Sequence, residues 1–174
     1  DYKVTGVQTC ALPISLDSAA AVFTTNRFAA APVLWSRQVV ADGSARAVVI
    51  NSGGANACTG PGGFSDAHEM AEITARELRD TTMHVGAGDV LVCSTGLIGE
   101  ALPMDRIRAG IPEAVRALSA DGGPKAATAI LTTDTKSKTV VLEGEGFTVG
   151  GMAKGAGMLA PELATMLVTL TTDA

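Results

Sequence analysis

The sequence predicts one domain of the α/β or α+β kind, on three observations. Two short apolar runs of the buried-strand type, Ala45 to Ile50 and Val90 to Cys93, each lead into a polar stretch containing glycine. Patterns with helical spacing stand between and after them. No repeat and no linker divides the 174 residues, a length sufficient for a single core.

Taken in order, Ala20 to Thr25 is apolar with β-branched residues and reads as a strand, and Val33 to Ser36 reads as extended after Pro32. Ala45 to Ile50 is a buried strand ending in a glycine-rich turn, Asn51 to Asn56. Thr59 to Gly63 is a loop. Ser65 then caps a helix reaching about Arg79, in which Ala67, Met70, Ala71, Ile73, Thr74 and Leu78 recur at helical spacing. A turn at Val85 to Asp89 precedes the strand Val90 to Cys93, which runs into Ser94 to Gly99. Met104 to Ala109 and Pro112 to Ser119 read as two helices, the second with proline in its first turn. Lys125 to Leu131 is a short Ala-rich helix leading to Thr132-Thr133-Asp134-Thr135. Lys138 to Leu142 and Gly146 to Val149 form a hairpin around Gly144, and Leu163 to Thr171 suits either helix or strand.

Composition excludes several function classes. Hydrophobic residues make up 47% and aromatics only 3%, so the core must be built from Ala, Val, Leu, Ile and Met. A net charge of −5 without a basic patch argues against nucleic acid and anionic membranes as partners. No apolar run reaches the ~18–20 residues that span a bilayer. Cys58 and Cys93 lack the spacing of a disulfide framework or zinc site and read as buried packing thiols; a cytoplasmic location is the default. His68 and His84 have no second ligand in register, so no metal is expected, and both read as solvated or structural.

The chemistry concentrates in Gly150 to Leu167, where glycines crowd Lys154 and an Ala164-Thr165 pair follows Pro161. An N-terminal threonine carries nucleophile and base together, because its α-amine has a reference pKa of about 7.7–8.0 and is partly neutral near pH 7. On the pair alone, a threonine starting a helix is the plainer reading. Lys154 could hold a carboxylate as a point charge. It does not fit a phosphate-binding loop, because Gly155 rather than Ser or Thr follows it. Thr95 and Gly96 follow a buried strand, where a backbone N–H can face the oxygen that becomes negative in acyl transfer. An ordinary strand-to-helix turn is the alternative there.

Lys154 to Leu167 resembles, position by position, the self-cleavage run of the ornithine acetyltransferase family, Lys-Gly-x-Gly-Met-x-x-Pro-x-x-Ala-Thr-Met-Leu. Ser94 to Gly99 and the Thr-Thr-Asp-Thr run also match that family, and the resemblance extends from about Ala20 to Ala174. It implies a layered α/β sandwich of the ornithine acetyltransferase and aminopeptidase-like kind, incomplete in this chain. It also implies self-cleavage between Ala164 and Thr165, making 15–164 an α-chain region and 165–174 the start of a β chain. By the same resemblance, Thr165 is the catalytic nucleophile, Thr95 and Gly96 form the oxyanion hole, and Thr132, Lys154 and Thr165 bind substrate; Thr132 and Thr133 are hard to tell apart. The implied reaction moves an acetyl group from N-acetylornithine to glutamate through an acetyl-threonine. No cofactor is implied, although some members accept acetyl-CoA as a substrate. The implied assembly is a heterotetramer of two α and two β chains, and this chain without the rest of the β chain is expected to be inactive. The alternatives are an aminopeptidase of the same architecture, or a non-catalytic binding domain if Thr165 lies away from Thr95 and Lys154.

Val4 to Ile14 reads VTGVQTCALPI, which resembles a translated sequencing-library adapter. Residues 1–14 are accordingly read as non-native, with the family's own N-terminal region absent; a genuine short arm is the alternative. With one basic residue, Lys3, and no long apolar core, the segment does not read as a signal peptide, and poor packing is expected of it.

Overall fold

The computed structural model describes residues 6–10, 18–79, 84–156 and 165–174. Six strands and four α-helices follow one another in these residues: β1 (Gly6–Cys10), α1 (Ala31–Val39), β2 (Ala47–Gly54), α2 (Gly60–Arg79), β3 (Val90–Leu97), α3 (Met104–Arg116), α4 (Gly123–Ala129), β4 (Lys138–Glu143), β5 (Thr148–Lys154) and β6 (Leu167–Thr172). They form two three-stranded sheets, ordered β1-β2-β3 and β4-β5-β6. The expected α/β layering is present.

The first sheet separates two cores by the alternation of its side chains. Val49, Val90 and Val92 pack on one face with Ala67, Met70, Ala71 and Leu78 of α2 and with Ile107 and Ile111 of α3. Ile50 faces the other way, into a smaller cluster with Ala126, Ala127, Ile130 and Met152, against which Cys93 and Leu167 pack. Met152 and Leu167 belong to the second sheet, so this cluster joins the two sheets. β2 and β3 are parallel, in register from Ala47↔Val90 to Ser52↔Thr95, with an irregularity at Gly53 and Gly54. Helix α1 covers the outer edge of β3. The Ser36 hydroxyl donates to the Val92 carbonyl and accepts the Val92 N–H, and the Trp35 indole N–H donates to the Val90 carbonyl.

Several elements depart from the sequence expectations. Ala20 to Thr25 is not a strand and is largely exposed; its β-branched residues find no neighbouring edge. The segment read as extended at Val33 to Ser36 is α1, because Pro32 sits in the first helical turn, where its missing N–H leaves no bond unmade. The loop expected at Thr59 to Gly63 gives way at Gly60 to α2, five residues ahead of the Ser65 cap. Asn56 organises that start: its side-chain amide donates to the Gly63 carbonyl at 2.7 Å, and its carbonyl accepts the Thr59 hydroxyl.

The helices expected either side of Pro112 are one helix, α3, with the proline inside it. Ile107, Ile111 and Val115 form a buried stripe at four-residue spacing. Burying three aliphatic side chains contributes ~1.5–3 kcal/mol each, which outweighs the ~3 kcal/mol cost of an internal proline. The hairpin at Lys138 to Val149 is present and β5 extends it to Lys154, while the ambiguous last segment is a strand from Leu167. Cys58 is exposed, at a positive φ of 59°, and is not the buried thiol expected; Cys93 is half-buried. Gly6–Cys10, expected to be poorly packed, pairs antiparallel with β2. The outer edge of β2 offers unpaired N–H and C=O groups that any extended segment can satisfy.

Candidate active site

Three of the singled-out residues meet where the sheets join. Lys154, the last residue of β5, is buried, and its ammonium donates to the Thr95 hydroxyl at 2.9 Å and to the Thr132 hydroxyl at 2.7 Å. Thr95 comes from β3 and Thr132 from the loop after α4. Of the Thr132–Thr133 pair, Thr132 is therefore the one bonded to the lysine. An ammonium has donors only, so each hydroxyl uses a lone pair to accept from it. Each hydroxyl proton is left for another acceptor, and two donors beside a cation suit an anionic oxygen.

Thr95 and Gly96 were expected in a turn, but β3 runs on to Leu97. The strand continues because its polar residues are accommodated as part of it. Ser52, the register partner of Thr95, donates its hydroxyl to the Leu131 carbonyl, and Asn51 donates its amide to the Gly54 carbonyl. The expected turn at Asn51 is likewise strand as far as Gly54. At Gly96 the backbone has φ +133°, and a Cβ would lie 2.3 Å from the carbonyl carbon of Gly53. Only glycine meets both conditions.

Thr165 lies just ahead of β6, two residues before Leu167, which pairs with Lys154 across the β5–β6 ladder. Inward and outward residues alternate along β6. One step back, this alternation gives Thr165 the inward parity of Leu167, and it is half-buried. Thr165 thus stands at the Lys154 end of the second sheet. Ala164, the other side of the expected cut, lies outside the described residues.

Sequence reasoning gave Asp134 no role. Its carboxylate is fully buried: one oxygen accepts the Gly155 N–H at 2.7 Å and the Lys138 ammonium at 2.6 Å, and the other lies 3.6 Å from the Lys154 ammonium. Burial alone would raise its pKa. The Lys138 bond, the Gly155 N–H and the Lys154 charge outweigh burial and hold the group down at about 2, against 3.8 for an ordinary aspartate. For Lys154, burial pushes the ammonium's pKa down and the Asp134 charge pulls it partly back. The only hint of Asp134 in the sequence is its place in the Thr-Thr-Asp-Thr run.

A pH dependence follows. Between about pH 4 and pH 2 the unfolded chain binds a proton at Asp134 that the folded chain does not, so stability rises with pH there. The contribution is present above pH 4 and lost as pH falls through 2. Melting temperatures measured from pH 5 to pH 2 are expected to fall on acidification, less steeply in Asp134→Asn.

Cys93, two residues before Thr95, is no rival nucleophile, since burial pushes its thiol up to about 11 and keeps it protonated at neutral pH. His68 pairs with Glu72 and lies against the Trp35 ring, and His84 is exposed. Among the described residues no group of side chains could hold a metal ion, and no helix is long and apolar enough to cross a membrane.

The profile of the ArgJ family matches residues 9–174. The chain belongs to the ArgJ family. An arginine biosynthesis bifunctional protein ArgJ from Streptomyces coelicolor is 62% identical over 157 residues, which are 90% of this chain and 40% of that relative. The chain thus spans about 40% of the length of the curated ArgJ relatives it matches. Among solved structures, the ornithine acetyltransferase of Mycobacterium tuberculosis, crystallised with ornithine, superposes with a TM-score of 0.83 at 45% identity. That match covers 94% of this chain and 93% of the crystallised one. The ArgJ structure from Bacillus halodurans gives a TM-score of 0.69 at 32% identity, covering 94% and 92%.

Proposed function

We propose that the whole protein to which this chain belongs transfers an acetyl group from N-acetylornithine to glutamate in arginine biosynthesis, with Thr165 as nucleophile. The observation that carries this reading is the Lys154 ammonium bonded to both Thr95 and Thr132, at the end of the sheet where Thr165 stands.

Self-cleavage comes first. The Thr165 hydroxyl attacks the Ala164 carbonyl, the peptide C–N bond breaks so that the peptide becomes an ester and the Thr165 α-amine is freed, and water then hydrolyses the ester to an Ala164 carboxylate and the free Thr165 hydroxyl. That amine then takes the hydroxyl proton as the oxygen attacks the acetyl carbonyl of N-acetylornithine. The Thr95 hydroxyl and the Gly96 N–H stabilise the resulting oxyanion, a kind of interaction where one donor contributes ~3–4 kcal/mol. Ornithine leaves with the proton on its α-nitrogen. The glutamate amine attacks the acetyl-threonine ester and regenerates the hydroxyl. Lys154 and Thr132 hold the substrate carboxylate.

Two observations support a two-chain protein. The chain covers 93% of the crystallised M. tuberculosis chain but 40% of a curated relative, as fits a precursor divided near this point. The second sheet also leaves Val140, Leu142, Val168 and Leu170 exposed on one face, an apolar surface that a β chain would cover. The reading includes a heterotetramer, a cytoplasmic location, no cofactor, and acetyl-CoA as an alternative donor.

The test is to express the full-length precursor and measure its intact mass, then assay acetyl transfer from N-acetylornithine and from acetyl-CoA to glutamate. Two fragments divided at Ala164–Thr165 together with acetylglutamate formation are expected, and the present chain alone should form none. Peptide hydrolysis without acetyl transfer would replace this reading with the aminopeptidase one.

A further inference from the structure

We infer that Asp134 is a positioning residue of this site: it holds the Lys154 ammonium against the two threonine hydroxyls and fixes the Gly155 amide that begins the segment leading to Thr165. The inference rests on the acetyl-transfer reading above. Its geometry divides the carboxylate into two halves. One oxygen is saturated by Lys138 and by the Gly155 N–H. The other is buried without a hydrogen bond, 3.6 Å from the Lys154 nitrogen.

That separation has a use. Lys154 has three N–H donors, and the hydroxyls of Thr95 and Thr132 take two of them. A carboxylate within hydrogen-bond distance would take the third and leave nothing for a ligand. At 3.6 Å Asp134 compensates the buried charge while the third donor stays available. The charged groups around Lys154 among the described residues are Asp134 itself and Lys138 of β4, while Thr95 and Thr132 are neutral. Two ammonium groups against one carboxylate leave one positive charge, which the carboxylate of an amino-acid substrate would neutralise.

A staple that merely ties β4 to its neighbouring loop would affect stability and nothing else, so the test reads Lys154 and substrate binding in the full-length protein. Asp134→Asn keeps the size of the side chain and an acceptor for Gly155 but removes the charge. With ¹³Cε-labelled lysines, and Lys154→Met to assign the signal, the Lys154 titration midpoint is expected to fall by about one pH unit or more. KM for glutamate is expected to rise about tenfold, with kcat within about threefold of the parent. Adding Asp134→Asn to Lys154→Met should change nothing further. An unmoved midpoint, or an undiminished effect in the Lys154→Met background, overturns the inference. If the asparagine variant does not fold, Asp134→Glu keeps the charge but displaces it: the midpoint should hold while KM rises, and an unchanged KM overturns the inference. A parent that transfers no acetyl group would sink the functional reading, while the Lys154 midpoint would still decide the role of Asp134.

Discussion

Thr165→Ala in the full-length precursor is expected to leave a single uncut chain and to abolish acetyl transfer. The substitution removes the only atom proposed both to attack the Ala164 carbonyl and to carry the acetyl group. Loss of a nucleophile costs ~10⁶-fold in kcat where the rest of the site still binds and polarises substrate. Thr165 is half-buried just ahead of β6, and alanine fits there without strain, so the fold should persist. Thr165→Ser restores the hydroxyl and is expected to cut and to transfer, more slowly because serine lacks the methyl group that limits the χ1 rotamers of threonine. Intact mass and an acetylglutamate assay on the three proteins check this. A cut Thr165→Ala chain would remove the hydroxyl from the mechanism.

Lys154→Met is expected to cost more than a surface charge would. The variant keeps an apolar stem of similar length but leaves the hydroxyls of Thr95 and Thr132 without their donor and Asp134 without the charge it faces. The hydroxyls can then turn their protons toward each other or toward backbone, so the donors are no longer organised for an anionic oxygen. Loss of one organised oxyanion donor costs ~10²–10³-fold in kcat, and the Thr95 hydroxyl depends on Lys154, which with Thr132 also holds the substrate carboxylate. A kcat/KM fall of about 10³-fold is therefore expected. Stability should drop by only ~1–3 kcal/mol, since Asp134 retains Lys138 and the Gly155 N–H. Steady-state kinetics and denaturant melts separate the two effects; a loss of stability with kcat/KM intact would make Lys154 purely structural.

The sequence made some of this architecture readable and hid the rest for identifiable reasons. β3 and the main length of α2 were legible because burial on one or both faces imposes a period on Val90, Val92, Ala67, Met70 and Leu78. Helix α1 was not, since Pro32 breaks or starts a helix depending on its position in the turn. α3 was read as two helices because a local proline penalty is visible in the sequence and a buried Ile107–Ile111–Val115 stripe is visible only once α2 lies against it. Polar residues near strand ends were taken for turns, yet Asn51, Ser52 and Thr95 are strand residues whose hydrogen-bond partners lie elsewhere in the fold. Within the site, Thr95, Thr132 and Lys154 were named through a family likeness, and their contact is a property of the two sheets together. Asp134 escaped notice because an aspartate after a short helix looks like a solvated cap until Gly155 and Lys138 converge on it.

The Lys154 contacts also bear on timing. Its two hydroxyl partners lie 59 and 22 positions upstream, on β3 and in the loop after α4. A chain synthesised no further than Lys154, or one whose two sheets have not docked, does not have all three groups in place. On the proposed chemistry, the peptide bond ahead of Thr165 therefore survives until the sheets have docked, and the cut is a permanent record that docking has happened. The ratio of cut to uncut protein in a cell extract would then report how well a variant outside the site folds, with no purification and no need for its substrates.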